Sequence, residues 1–233
     1  MSIAGSDSGG CAGIQADIKS ISACNAYAAT VITATTAQNT QGVFDIHALP
    51  ISHIEKQLDA VLSDIAFGAV KIGMLHPCAV IKCVQRKLEE YNVKNSIIDP
   101  FMVATSGDTL LDKDAISCLK LFLTKAVLVT PNIPEAELLI GHKINRDTIE
   151  SAAKEIGERF KTSILLKGGH LKHTSNTITD VLYLKKTEEL IGINNQKIRT
   201  NHTHGTGCSL SSSIAAFLSL GYSMSEAVYK GCA

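Results

Sequence analysis

Short apolar runs rich in β-branched residues alternate along the chain with segments whose apolar positions recur every three or four residues. The first kind predicts strands at Met1 to Ala4, Ala28 to Thr35, Ala69 to Ile72, Ser96 to Asp99, Ala126 to Thr130 and Ser163 to Leu166. The second predicts helices. Ile54, Leu58, Val61, Leu62 and Ile65 line one helix face, and Val80, Ile81, Val84 and Leu88 line another. Near-continuous apolar strands need cover on both faces, which is the requirement of a parallel sheet, and the intervening helices supply it. Thr179 to Leu184 followed by Leu190 to Ile193 reads instead as an antiparallel edge hairpin. The pattern predicts a doubly wound, mostly parallel α/β sheet with helices on both faces, a three-layer α/β/α domain. No linker, low-complexity tract or internal repeat divides it, so residues 1–233 are expected to form a single domain.

Composition narrows the partners. The 233 residues are 45% hydrophobic and 19% charged, an ordinary globular balance. Twenty-two basic against 22 acidic residues argue against nucleic acid or an anionic membrane and favour a small molecule. Ala26 to Ala37 is too short and too rich in threonine to span a bilayer, and Met1 to Ala4 lacks the regions of a signal peptide, so a cytoplasmic location is expected. Seven cysteines, at 11, 24, 78, 83, 118, 208 and 232, are scattered without C-x-x-C pairs, and neither a disulfide framework nor a zinc knuckle is expected. His170 with His173, and His202 with His204, are closely spaced, but no nearby ligand completes a metal set.

In such a sheet the ligand crevice opens at the carboxyl ends of the strands. The residues that follow each strand here are distinctive. The glycine-rich loop from Gly5 to Gly13 fails the Walker pattern, because Cys11 stands where the lysine belongs, and it breaks the dinucleotide spacing too. His204-Gly205-Thr206-Gly207-Cys208-Ser209 is more informative. Small residues lead there into a helix marked by Leu210, Ile214, Phe217 and Leu218, with Gly221 as its stop. The free amides of Gly205, Thr206 and Gly207 at a helix N-terminus suit a phosphoryl group, and the same helix start is expected to lower the pKa of Cys208.

These loops together resemble the hydroxymethylpyrimidine and phosphomethylpyrimidine kinases of thiamine biosynthesis, within the ribokinase-like superfamily. The resemblance spans nearly the whole chain. It rests on IAGSDSGG and AGIQAD between Ile3 and Asp17, TAQNT from Thr36, KIGML from Lys71 and MVATSGD from Met102 to Asp108. TPNIPEAELL from Thr130, KGGH from Lys167 and HGTGCSLSSSIAA from His204 complete it. It implies a ribokinase-like fold and transfer of the ATP γ-phosphate to 4-amino-5-hydroxymethyl-2-methylpyrimidine, then to its monophosphate. A homodimer is implied as well. Pyridoxal or pyridoxine kinase on the same scaffold, and a pyrimidine-binding protein with reduced turnover, remain open as alternatives.

The resemblance assigns residues to tasks. Gly205, Thr206 and Gly207 would form the anion hole and Cys208 the general base, against the plainer reading of Cys208 as a small residue ordering the loop. Asp99, Asn132 and Glu135 would organise Mg2+, partly through water; Glu135 also suits a helix first turn as an acid on the dipole. Lys167 would neutralise nucleotide phosphate or stand as a strand-end cation. Gly5, Gln38, Met74 and Phe101 would hold the pyrimidine, Gln38 reading its edge and Met74 covering a face. Three departures stand out: Phe101 replaces the usual valine, Cys11 a common glycine, and the helical pattern stops at Ala233 where relatives continue. Either a trimmed chain or a compact variant fits that stop, and a missing tail would remove part of the nucleotide cover. Met102 to Asp108 has the composition of a flap over the substrate.

Overall fold

A computed structural model describes residues 1–102, 113–171, 176–200 and 202–233. The elements run β1 (Ser2–Asp7), α1 (Gly13–Ala23), β2 (Thr30–Asn39), β3 (Gly42–Ala48), α2 (Ile51–Leu62), β4 (Val70–Ile72), α3 (Cys78–Glu90) and β5 (Ser96–Ile98). Then follow α4 (Lys113–Leu123), β6 (Leu128–Val129), α5 (Ile133–Ile140), α6 (Ile149–Phe160), β7 (Ser163–Leu166), β8 (Thr177–Leu184), β9 (Glu189–Gln196), α7 (Thr206–Ser219) and α8 (Met224–Cys232). One sheet takes all nine strands in the order β3-β2-β1-β4-β5-β6-β7-β8-β9. The six strands from β2 to β7 in that order are parallel, and β3, β8 and β9 join antiparallel at the two margins. This is the doubly wound, mostly parallel architecture expected from the pattern.

The central strands are apolar on both faces because each face carries its own helical layer. Ile98, Val129, Ile164 and Leu166 enter the core shared with α2 to α6. Their neighbours Ile97, Leu128 and Leu165 enter the core shared with α7 and α8. Successive side chains of a strand point to opposite faces, so continuous apolar runs are what two cores demand. α1 packs beside α7 on the second face. The strand order turns at β1, which carries β2 on one side and β4 on the other, and the crevice lies outside their carboxyl ends.

Four expectations are corrected. β1 runs on to Asp7, so Gly5 lies within a strand, at a register shift between Ala4 and Ser6, and not in the loop. β2 likewise extends through Gln38 to Asn39. β3 has no counterpart in the sequence reading, since its residues are largely solvent-exposed and give no burial signature. Cys78 and Cys118 form a disulfide with Cα atoms 5.6 Å apart, joining the start of α3 to α4. Forty residues separate them in sequence, and only the packing of adjacent helices brings them together.

Candidate active site

Each central parallel strand delivers its next residues to one rim. Backbone bonds continue the ladder past the strands: Asp99 N donates to the Ile72 carbonyl at 2.9 Å and Thr130 N to that of Ile98 at 3.0 Å. Asp99 is thereby fixed between β4 and β6. Its Oδ1 accepts from Lys167 Nζ and from Thr130 Oγ1, both at 2.8 Å. Burial works against the charge of Asp99, but Lys167 and Lys71 outweigh it and hold the carboxyl below its ordinary pKa.

α7 enters this rim through Gly205, whose φ of +83° is natural only to glycine. A side chain there would also run into the Cys11 carbonyl, so the first glycine-rich loop and the helix start are in van der Waals contact. No side chain caps α7, and its first turn carries no acid. The first intrahelical bond runs from Ser209 N to the Gly205 carbonyl at 2.9 Å, and Thr206 N turns back to the Thr203 carbonyl at 3.3 Å. The amides of Gly207 and Cys208 come before that first donor and point out of the helix, whereas the Thr206 amide, expected to be free, is already engaged. A Cβ on Gly207 would begin 3.2 Å from Lys167 Nζ and 3.5 Å from Asp99 Oδ2, which places cation and carboxylate directly beside these donors.

α5 begins on the same rim with its terminus closed. Asn132 Oδ1 accepts from Glu135 N and Glu135 Oε2 accepts from Asn132 N, both at 2.9 Å, a complete capping box. Burial pushes the Glu135 carboxyl up to about 7, with the Lys167 charge opposing that rise. Among the described residues no three His, Cys, Asp or Glu side chains gather into a metal-ligand set. Asp99 and Glu135 do fit magnesium, a hard cation that takes oxygen ligands and keeps waters and nucleotide phosphates as the rest of its shell.

On the other side of Gly205 lie the residues expected to read a ring. Gly5 abuts Met74, since a Cβ on Gly5 would begin 2.8 Å from Met74 Cε, and Thr33 Oγ1 anchors the Met74 carbonyl at 3.0 Å. Gln38 holds its side chain between Thr36 Oγ1, at 3.2 Å from Oε1, and His204 Nε2, at 2.6 Å from Nε2. Phe101 stands 45% exposed just past β5. The proposed flap lies outside the described residues from 103 onward, as does His173.

Sequence reasoning missed two contributions. Asp7 is 3% exposed, and it orders the first loop by accepting from the amides of Gly9, Ala12 and Cys11 at 2.7, 2.8 and 3.0 Å. These amide bonds outweigh burial and lower its pKa. His204 Nε2 lies 3.4 Å from the same carboxylate, so one imidazole joins the anion loop to Asp7 and Gln38. The second is a buried ion pair on the α7 face of the sheet. Lys71 Nζ bonds both oxygens of Asp17 at 2.9 Å, and both residues are fully buried. A lysine inside the apolar run Val70-Lys71-Ile72 was the signal that could have found it.

Cys208 departs from expectation in its acidity. Burial pushes its thiol above the ordinary pKa, opposed chiefly by the Lys71 charge. The helix start alone does not make it acidic. A cleft of about 400 Å³ opens from Gly205, Thr206 and Ser209 toward Asn195 on β9 and Gly231 on α8.

Comparison with known proteins places this geometry. The family model described as phosphomethylpyrimidine kinase matches residues 7–233. A hydroxymethylpyrimidine/phosphomethylpyrimidine kinase of Rhizobium meliloti is 45% identical over 98% of this chain and 85% of its own length. The crystal structure of a phosphomethylpyrimidine kinase from Clostridium difficile superposes with a TM-score of 0.83 at 40% identity, covering 99% of this chain and 94% of that one. An ADP complex of Bacillus subtilis pyridoxal kinase gives a TM-score of 0.90 at 32% identity, covering 99% and 87%. The chain spans less than half the length of longer thiamine-biosynthesis relatives, 46% in the bifunctional protein of Geobacter sulfurreducens, to which it is 43% identical over 98% of its own length.

Proposed function

Because the chain belongs to the phosphomethylpyrimidine kinase family, we propose that it transfers the γ-phosphoryl group of ATP to the hydroxymethyl oxygen of 4-amino-5-hydroxymethyl-2-methylpyrimidine, and then to the resulting monophosphate. The observation that carries this reading is the uncapped start of α7 set beside Lys167 and Asp99. Phosphoryl transfer depends on positioning and charge neutralisation, and both are concentrated there.

The nucleotide lies along the cleft toward β9 and α8, with its terminal phosphate against Gly205, Gly207 and the Cys208 amide. Thr206 borders the same phosphate, and Lys167 neutralises it. The pyrimidine sits on the opposite side, between Gly5 and Met74, its edge read by Gln38 and its outer margin met by Phe101. Magnesium, held by Asp99 and Glu135 and oriented through Asn132, would supply positive charge across the nucleotide phosphates when bound. Cys208 takes the hydroxyl proton. The whole chain acts in this reading as one domain of a cytoplasmic enzyme; among the described residues no helix is long and apolar enough to cross a membrane. Val43, Phe44 and Ile46 are at least half exposed on edge strand β3, and we assign them to a second copy of the chain, which sedimentation of the purified protein checks.

The likeness to pyridoxal kinase supports a second reading, because pyridoxal also carries a hydroxymethyl group on an aromatic heterocycle. Mass spectrometry of products formed with magnesium and ATP from the pyrimidine, its monophosphate and pyridoxal decides between them. The expected result is pyrimidine mono- and diphosphate. Product from pyridoxal alone replaces the substrate, and no product from any of the three favours a binding role.

A further inference from the structure

Four fully buried polar side chains meet behind the phosphate rim: Ser2 on β1, Asp17 on α1, Lys71 on β4 and Ser212 on α7. Asp17 collects the other three. Its Oδ2 accepts from Ser2 Oγ at 2.5 Å and its Oδ1 from Ser212 Oγ at 2.7 Å, while Lys71 Nζ donates to both oxygens. Ser2 and Ser212 already give each Asp17 oxygen a hydroxyl donor, so Lys71 is not the sole donor on either side of the carboxylate. A charged lysine has nonetheless been kept where burial costs most, and it is shared by nothing but Asp17 among its hydrogen-bond partners described here.

Ser212 lies one helical turn after Cys208 on α7, so the two side chains share a face and the cluster stands directly under the cysteine. Gly73 removes the obstacle on the far side, since a Cβ there would begin 2.8 Å from Lys71 Nζ. Five groups bear on the sulfur. They are Lys71 from β4, Asp17 and the Gly13 amide from α1, Asp99 after β5, and Lys167 after β7. Lys167 is already bound to Asp99 at 2.8 Å. Burial disfavours the Lys71 ammonium, but Cys208, Asp17 and Asp99 together overcome this and keep its pKa above the usual lysine value.

We propose that Lys71, held in place by Asp17 and thereby by Ser212 and Ser2, is a positioning residue that supplies the counter-charge for the Cys208 sulfur during phosphoryl transfer. This rests on the kinase reading. In the step, the Cys208 thiolate takes the proton of the substrate hydroxyl as that oxygen bonds to the γ-phosphorus and the bond to the ADP oxygen breaks. The negative charge leaves the sulfur and appears on ADP, and the thiol later returns its proton to solvent. Asp17 opposes Lys71 in this role, because its own charge disfavours the thiolate, and it does so while holding the lysine in register.

That opposition gives a test that a purely structural role does not pass. Alkylation of Cys208 by iodoacetamide is followed against pH, in a background where the other free cysteines are replaced by serine and folding is verified by circular dichroism. Lys71→Met is expected to move the thiol titration up by about one pH unit, slowing alkylation at pH 8 about tenfold. Asp17→Asn is expected to move it down. Shifts in the same direction, or none, overturn the proposal. If either single variant does not fold, the charge-neutral pair Lys71→Met with Asp17→Asn decides: Lys71 acts on the sulfur more strongly than Asp17, so an upward shift of less than about one pH unit supports the proposal, and a downward shift or none overturns it. Alkylation needs no substrate, so a wrong substrate assignment leaves this result intact, and the acid limb of the kcat/KM profile then links the thiol to turnover.

Discussion

Two helices begin on the same rim of the sheet and treat their N-termini in opposite ways. α5 is closed: Asn132 and Glu135 satisfy each other's backbone donors, Pro134 follows the cap, and an acid sits in the first turn. α7 is open: glycine in the left-handed region takes the cap position, with no side-chain acceptor and no acid in the first turn. The chain thus caps one helix and leaves the other open on the same rim, where a parallel bridge joins Asn132 to Lys167 and Lys167 reaches Gly207. Glycine in place of a capping side chain forgoes stability of only roughly a few tenths of a kcal/mol. What it keeps is a set of donors for an anion that arrives from outside.

The comparison can be broken most sharply at Gly205. Gly205→Ala forces a left-handed residue to carry a Cβ against the Cys11 carbonyl, and should lower kcat by about 10²–10³ through loss of aligned donors, with little change in far-ultraviolet circular dichroism. A smaller effect is expected from giving α7 the acid it lacks. Thr206→Asp should stabilise the helix by about 0.3–1 kcal/mol, read as a higher Tm, while raising the KM for ATP because the carboxylate competes for the same amides. A rise in both stability and ATP affinity would remove the argument that the open end is reserved.

The remaining test belongs to the closed end. The folded pKa of Glu135 is raised to about 7 from an ordinary 4.5, so between these values the folded state keeps a proton that the unfolded state has lost. Stability from this group is therefore fully present below pH 4.5 and lost as pH rises toward 7. Glu135→Gln retains the cap geometry without the titration. In magnesium-free buffer its Tm should gain on the parent protein from pH 4.5 to 7 and run parallel above that, and a constant difference would place the carboxyl at its ordinary acidity.

How far each region was legible follows from the range of the interactions that make it. The central strands and the α7 start are announced by local patterns, a run of apolar residues or glycines ahead of a periodic helix. Asn132 and Glu135 stand within four residues, and the sequence pointed to both as magnesium ligands and to Glu135 as a first-turn acid, though not to the reciprocal cap they form. β3 stayed hidden because an exposed edge strand has no buried face to impose alternation. The acidity of Cys208 was misjudged because a helix start is visible in sequence, whereas burial and the balance between Lys71 and Asp17 depend on three elements converging. The Cys78–Cys118 bond was missed for the same reason, being made by helix packing across 40 residues.

The meeting of Gly205 with the Cys11 carbonyl has a mechanical corollary. Like the teeth of two meshed gears, the loop after β1 and the turn proposed to seat the phosphate leave each other no slack at this point. In the proposed kinase, a ligand settling against one would press on the other, so the protein's own backbone would set the spacing of the two reacting partners before either has bound.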